Sequence, residues 1–253
     1  MNERTQWADL TFRPIGDKAI LVELTREIDP ETNRKVRNLW AALEKEPIDG
    51  LGEIVPGYCS LLVYYDPSEI RSDALRAEIE AVAGKITEIE LPPPKVYHLP
   101  VLYGGEMGPD LDFVAEENDL TPQAVIDVHT SREYLIYMIG FSPGFPYLGG
   151  MSEDIAAPRL PDPRTVTPAR SVGIAETETG VYPVESPGGW RIIGRTPVEL
   201  FTPEEDPPVL LEMGDYVKFY EISADRYEEI REAVEQGTYE VEITELEAET
   251  HVY

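Results

Sequence analysis

The 253-residue chain is 42% hydrophobic and carries 49 acidic against 21 basic residues, a formal net charge of −28. That balance excludes a phosphate-backbone binder, which needs a basic surface, and no apolar run approaches the roughly 20 residues that span a bilayer. Met1-Asn2-Glu3-Arg4 lacks the basic flank and apolar stretch of a secretory signal, and a lone Cys59 in an apolar, aromatic stretch reads as a buried, inert thiol, so a cytoplasmic protein without disulfides is expected.

In chain order, Ala19-Ile20-Leu21-Val22-Glu23-Leu24 is a short strand. Asp29-Pro30-Glu31 follows as N-cap, first-turn proline and early acid. The helix it opens carries Val36, Leu39, Trp40 and Leu43 at helical spacing, and Pro47 and Gly50 close it. Residues 52–56 and 60–65 read as two strands joined by a Pro-Gly turn. A second helix is predicted over 68–83, with Ile70, Leu75, Ile79 and Val82 on one side, and a last strand over 88–91. The order β-α-β-β-α-β is that of a ferredoxin-like fold. Leu91-Pro92-Pro93-Pro94 then marks a boundary, because three prolines cannot donate to a sheet ladder. Two domains are expected, 1–91 and 95–253.

The second part has a different texture. A strand is predicted over 96–102, a helix from Thr121-Pro122 to Thr130, and a late strand over 237–246. From Tyr134 onward, short β-type segments alternate with glycine and proline, which indicates a sandwich or a closed barrel.

Three segments there are singled out. Residues 140–150, GFSPGFPYLGG, can neither form a regular helix nor an interior strand. Phe141, Gly144 and Tyr147 read as an aromatic, backbone-rich ligand wall, or as parts of a packed loop. In residues 158–183, Arg159 and Arg164 each follow a proline, and their planar forks suit a carboxylate or phosphate. Surface arginines paired with the abundant acids are the plainer alternative. In residues 186–197, SPGGWRIIGRTP, the Gly188-Gly189 turn leads into a strand. An undistorted strand would point Arg191 and Arg195 to one face, whereas Trp190 reads as core, interface or ligand wall. His129, near a helix end, is either a hydrogen-bonding histidine or a general base. No phosphate-binding G-x-x-x-x-G-K-[ST], G-x-S-x-G or H-E-x-x-H is present, and three scattered histidines do not suggest a metal site.

Together these segments resemble the family of the B-type 5-oxoprolinase subunit, also called allophanate hydrolase subunit 1 or KipI, the sporulation-kinase inhibitor. The resemblance is carried by LPVLYGGEMGPDL at 99–111, Val128-His129-Thr130, GFSPGFPYLGG, the PR…PR pair and SPGGWRIIGRTP, with Gly16-Asp17-Lys18-Ala19 and Ser60-Leu61-Leu62-Val63 in the first domain. It covers about residues 11–222. It implies a ferredoxin-like α+β N-terminal domain followed by an all-β cyclophilin-like barrel, and a KipA-like partner, the C-type subunit. With an A-type partner as well, it implies an ATP-dependent lactam hydrolase that opens 5-oxoproline to glutamate. Two alternatives come with it: a KipI-like inhibitor of a sensor histidine kinase, and the carboxyltransferase half of a urea or allophanate-type enzyme, whose biotin would sit on another chain.

On this reading Arg159, Arg164, Arg191 and Arg195 gather around an anionic substrate beside Phe141, Gly144, Tyr147, Gly188 and Gly189. His129 or Glu178 moves protons, and ATP is held largely by partner chains. The family usually reads P-A-G-S-V-G-I-A-G-x-Q-T-G-I-Y-P, where this chain has Arg170 and Glu176 at the first and third glycines and Glu178 at the glutamine. If those glycine positions require positive φ, the new side chains cost about a kcal/mol or more each.

Overall fold

The structure is a computed structural model that describes residues 10–86 and 93–246. The chain divides into two units, Met1–Pro92 and Pro93–Tyr253.

In the first unit, strands β1 (Thr11–Ile15) and β2 (Ala19–Glu23) form a hairpin, followed by helix α1 (Pro30–Lys45), strands β3 (Leu51–Pro56) and β4 (Ser60–Tyr65), and helix α2 (Ser72–Ala83). Asp29 caps α1 as its position predicted, accepting from the Thr32 N–H at 2.9 Å. Val36, Leu39 and Leu43 of α1 are buried together with Leu75 and Ile79 of α2 and Leu61 and Val63 of β4. Each such side chain contributes about 1.5–3 kcal/mol of burial. Helix α2 starts four residues later than the pattern predicted, because Ser68 bonds back to the Asp66 carboxylate at 2.9 Å and Ile70 closes that turn on the Asp66 carbonyl.

The sheet is antiparallel in the order β1-β2-β4-β3. Its edge strand β1 was not anticipated, and the strand predicted over 88–91 lies outside the described residues. Cys59 is half-buried rather than buried; desolvation, with the charges of Glu23 and Asp29, pushes its thiol pKa up.

The second unit opens with β5 (Lys95–Tyr103), whose Pro100 sits inside the strand. Two helices follow, α3 (Leu111–Glu117), which was not predicted, and α4 (Pro122–Thr130), capped by Thr121. Then come β6 (Glu133–Ile139), β7 (Pro146–Gly149), β8 (Arg164–Thr167), β9 (Ser171–Ala175), β10 (Glu178–Val181), β11 (Ser186–Gly188), β12 (Arg191–Arg195) and β13 (Tyr216–Glu221). A further helix absent from the sequence reading, α5 (Ala224–Glu235), precedes β14 (Glu242–Glu245), all that remains of the strand predicted over 237–246.

Seven strands close into a mixed barrel in the order β12-β9-β10-β7-β6-β13-β5, and β5 returns to β12 through Tyr103↔Gly194 and Leu102↔Arg195. The β5–β13 pair is parallel, and β14 pairs with the outer half of β5. Strand alternation sorts the side chains. Leu148, Val172, Ile174, Val181, Ile193 and Phe219 fill the interior, while Phe145, Ala175, Tyr182, Trp190 and Ile192 form a second apolar cluster. Adjacent Ile192 and Ile193 join different clusters, as alternation along β12 requires, and the β9–β12 register shifts between Ile192 and Gly194. The turn residues 186–188 pair instead with β8 as a short separate ribbon.

Candidate functional site

The second apolar cluster is the floor of a cleft of about 210 Å³, lined by Phe141, Tyr147, Arg159 and Tyr182 on its walls and by Gly188, Gly189 and Trp190 at one end. The rings meet edge to face: Phe145 lies 5.5 Å from Trp190 at 90° and 5.2 Å from Tyr182 at 83°. Gly180 leaves the space for this, since a Cβ there would stand 3.0 Å from Trp190 Cζ3 and 3.2 Å from Phe145 Cζ. Gly188 does the same for Tyr182, whose hydroxyl would lie 2.4 Å from an added Cβ.

Phe141 stands at the lip, 66% exposed and at φ +66°, a left-handed conformation that a bulky side chain rarely holds. Arg159 lies 5.9 Å over the Trp190 ring and forms no ion pair among the described residues. Burial pushes the phenol pKa values of Tyr147 and Tyr182 up; the Glu178 charge adds to this at Tyr147, and Arg159 opposes it at both. Both remain neutral O–H groups near neutral pH. The cleft thus offers flat apolar walls, one guanidinium and the Tyr182 phenol.

Of the residues picked from sequence, Phe141, Tyr147, Arg159, Gly188 and Gly189 are brought together here, and Arg164, Arg191, Arg195 and Gly144 are not. Arg164 instead grips Asp110 with Nη2 2.8 Å from both carboxylate oxygens, and its Nη1 donates to the Trp190 carbonyl at 3.2 Å. Asp110 also accepts the Ile192 N–H at 2.6 Å, so this pair holds Trp190 and the start of β12 in place. Arg191 lies 3.5 Å over the Phe113 ring and donates to the Pro158 carbonyl, whereas Arg195 donates to the Ala169 carbonyl. The bulge in β12 inserts an extra residue between these two arginines, and an even spacing no longer places them on one face. Gly144, at φ +78°, packs behind the loop against Leu200 and Phe201 and lets it turn. Tyr182 and Trp190 also line the cleft; in sequence Trp190 is compatible with core, interface or ligand wall, and Tyr182 carries no signal beyond being aromatic.

His129 is corrected most clearly. It is fully buried in the barrel interior, stacked 4.7 Å from Phe219. Thr179 Oγ1 donates to the Gly173 carbonyl at 3.0 Å, which assigns it as acceptor from His129 Nε2–H at 2.9 Å. His129 Nδ1 then accepts from the Tyr103 hydroxyl at 2.8 Å. With both ring nitrogens occupied and burial lowering its pKa to about 3, His129 is a neutral hydrogen-bond bridge, not a general base within substrate reach. Glu178 opens β10, beside Tyr147 but not on the cleft wall. Both positions where glycine is usual, Arg170 at φ +69° and Glu176 at φ +52°, adopt left-handed backbone, as positive φ at those positions would require.

Among the described residues no group of three or more His, Cys, Asp or Glu could hold a metal ion, and no helix is long and apolar enough to cross a membrane. Residues 10–211 match the family model described as "Carboxyltransferase domain, subdomain C and D". The chain is 44% identical to the B-type 5-oxoprolinase subunit of Bacillus subtilis over 86% of its own length and 95% of that protein, and 40% identical to the corresponding Haemophilus influenzae protein over 81% and 95%. Among solved structures, a conserved uncharacterized protein from Pyrococcus horikoshii is 45% identical, with a TM-score of 0.52 over 86% of this chain and all of that one. The urea amidolyase of K. lactis superimposes with a TM-score of 0.80 over 94% of this chain and 16% of the enzyme, at 24% identity, a likeness of fold. Matched over nearly the full length of those bacterial proteins, the chain belongs to the family of B-type 5-oxoprolinase subunits, built on the C and D subdomains of a carboxyltransferase domain.

Proposed function

We propose that the chain is one component of an ATP-dependent 5-oxoprolinase and that its part is to hold the lactam. The observation that carries this is the aromatic cleft with Arg159 over Trp190, in a chain 44% identical to a B-type 5-oxoprolinase subunit. The ring of 5-oxoproline would lie against Trp190 and Tyr147, its carboxylate on the Arg159 guanidinium, and its carbonyl within reach of a neutral phenol. Because a lactam is a resonance-stabilised amide, breaking its ring C–N bond is coupled to ATP, so that 5-oxoproline, ATP and two waters give glutamate, ADP and phosphate. A cleft of about 210 Å³ is smaller than the roughly 300–1,000 Å³ of sites that enclose drug-sized ligands, so the nucleotide is assigned to partner chains, one of the A type and one of the C type (KipA-like). The protein would act in the cytoplasm.

The fold supports the same reading at finer grain. The first unit keeps the order β2-α1-β3-β4-α2 with β4 between β2 and β3, as in a ferredoxin-like domain, and β1 takes the edge beside β2. The second unit is read as the cyclophilin-like barrel.

The test is 5-oxoproline-stimulated ATP hydrolysis by the chain mixed with its A-type and C-type partners. Arg159→Ala should lower kcat/KM for 5-oxoproline by about 10- to 100-fold, as expected for losing a charge-assisted contact worth roughly 1.5–3 kcal/mol, with thermal stability unchanged. No stimulated hydrolysis with any partner combination would refute the assignment. The exposure of Phe141 favours one rival, a binding module that docks a protein such as a sensor kinase. Kinase inhibition lost in Phe141→Ala while ATP hydrolysis persists would select it.

A further inference from the structure

The turn between β8 and β9 and the end of β12 bring two guanidinium groups to one corner of the barrel. Ser171 pairs with Arg195 across the β9–β12 ladder, and the Thr196 N–H donates to the Arg170 carbonyl at 3.0 Å. Each side chain bonds to a carbonyl next to the other arginine's segment. Arg195 Nε donates to the Ala169 carbonyl at 2.8 Å, and Arg170 Nη1 donates to the Pro197 carbonyl at 3.2 Å. Both arginines are half-buried, and neither is ion-paired to a carboxylate among the described residues. Neither lines the aromatic cleft.

This is an unusual use of charge. Residues 93–246 contain 29 acidic and 10 basic residues, so carboxylates are abundant, yet this corner turns to carbonyl oxygens, which orient a guanidinium without neutralising it. Each arginine spends one donor nitrogen on its carbonyl and keeps most of its five N–H groups for something else. Arg170 also holds a left-handed conformation at φ +69°, where glycine would be unstrained. A strained cation beside a second cation is a poor arrangement for stability alone, and a shared anion is what would make it favourable.

We propose that Arg170 and Arg195 form a binding site for a tetrahedral oxyanion, either free phosphate or the phosphoryl group of a phosphorylated small molecule. The planar forks present N–H pairs that match such oxygens, and half-burial limits competition from water.

The experiment is thermal unfolding of the full chain in increasing inorganic phosphate, compared with chloride at matched ionic strength, because salt alone stabilises a chain of this net charge. Phosphate should raise the Tm by several degrees beyond chloride. Arg195→Gln should lose that extra rise, and Arg195→Lys, which keeps the charge but not the fork, should retain part of it. Arg170→Gly should lose it too, and in chloride it should melt at the same temperature as the unaltered chain or higher, having shed the strain and one like charge. ATP in place of phosphate identifies the source: a response at lower concentration assigns the site to a nucleotide phosphoryl group, an equal response to a free oxyanion. Equal melting in phosphate and chloride, or an undiminished phosphate response in Arg170→Gly, would overturn the proposal. None of these outcomes depends on 5-oxoproline turnover.

Discussion

The interior of the barrel and its outer loops treat polar groups in opposite ways. Inside, Tyr103, His129, Thr179 and the Gly173 carbonyl form a directed chain in which each donor meets an acceptor, and Tyr134 closes the neighbourhood on the His129 carbonyl at 2.7 Å. Outside, among the described residues, Arg159 stacks on Trp190 without an ion pair, Phe141 is held left-handed at the lip, and Arg170 and Arg195 bond only to carbonyls. A saturated network in a low-dielectric core fixes the scaffold. Donors with unspent capacity at the rim remain available to a ligand. The titratable group in the middle of the fold is thus committed to structure, whereas cations at its edge keep hydrogen-bonding capacity.

The sharpest way to break this contrast is Asp110→Ala, which removes the partner of Arg164 and the acceptor for the Ile192 N–H. Leaving a part-exposed guanidinium and the Ile192 N–H without their acceptor should cost about 2–3 kcal/mol in urea denaturation. The loss should also loosen Trp190, seen as altered tryptophan emission, because Arg164 would no longer be held where it reaches the Trp190 carbonyl.

Acidification tests the interior. The His129 pKa is lowered by burial from the ordinary 6.5 to about 3 in the folded protein. The unfolded chain thus takes up a proton that the folded chain refuses, and the stability present above pH 6.5 is lost as pH falls toward 3. Between pH 6.5 and 5, ahead of most carboxylate titration, the slope should approach about 1.4 kcal/mol per pH unit in denaturant titrations. A flat profile over that window would mean that His129 is protonated in place and that the interior is not saturated.

The smallest effect expected is at Glu176, at φ +52° in the turn between β9 and β10, where its N–H and carbonyl pair with Ala157 at 2.7 and 3.3 Å. Glu176→Gly keeps those backbone bonds and removes the left-handed cost, so a gain of up to about 1 kcal/mol is expected, partly offset by the greater freedom of glycine in the unfolded chain. A loss instead would show that the Glu176 side chain makes a stabilising contact that outweighs its backbone strain.

Much of the local structure was legible because its causes are local. The Asp29-Pro30 start of α1, the Thr121-Pro122 start of α4 and the apolar strands Ala19–Glu23 and Ser60–Tyr65 follow from capping, a fixed proline φ and side-chain alternation. Elements missed or misjudged depend on distant partners. Strand β1 carries Pro14 and exposed residues and is a strand only because β2 pairs with it. Helix α3 is seven residues long, too short for a readable period, and is fixed by packing of Leu111, Val114 and Ala115 into the barrel core.

The same division runs through the site. The glycine-proline loop and the Gly-Gly-Trp turn stood out because their composition forbids regular structure, and both line the cleft. The grouping of four arginines failed for reasons invisible in spacing: a bulge in β12, a carboxylate 54 residues before Arg164, and carbonyls presented by neighbouring turns.

By itself, then, the sequence determined the charge, the helix starts and the loops that could not be regular, which follow from residue identity alone or over a few neighbours, and its motifs carried the family resemblance. Only the tertiary structure decided which cations are spent and which remain available, because the acceptor that neutralises or merely orients a guanidinium is brought to it by a different strand. The same holds for His129, whose chemistry was set by the ring, hydroxyls and depth that the closed barrel placed around it.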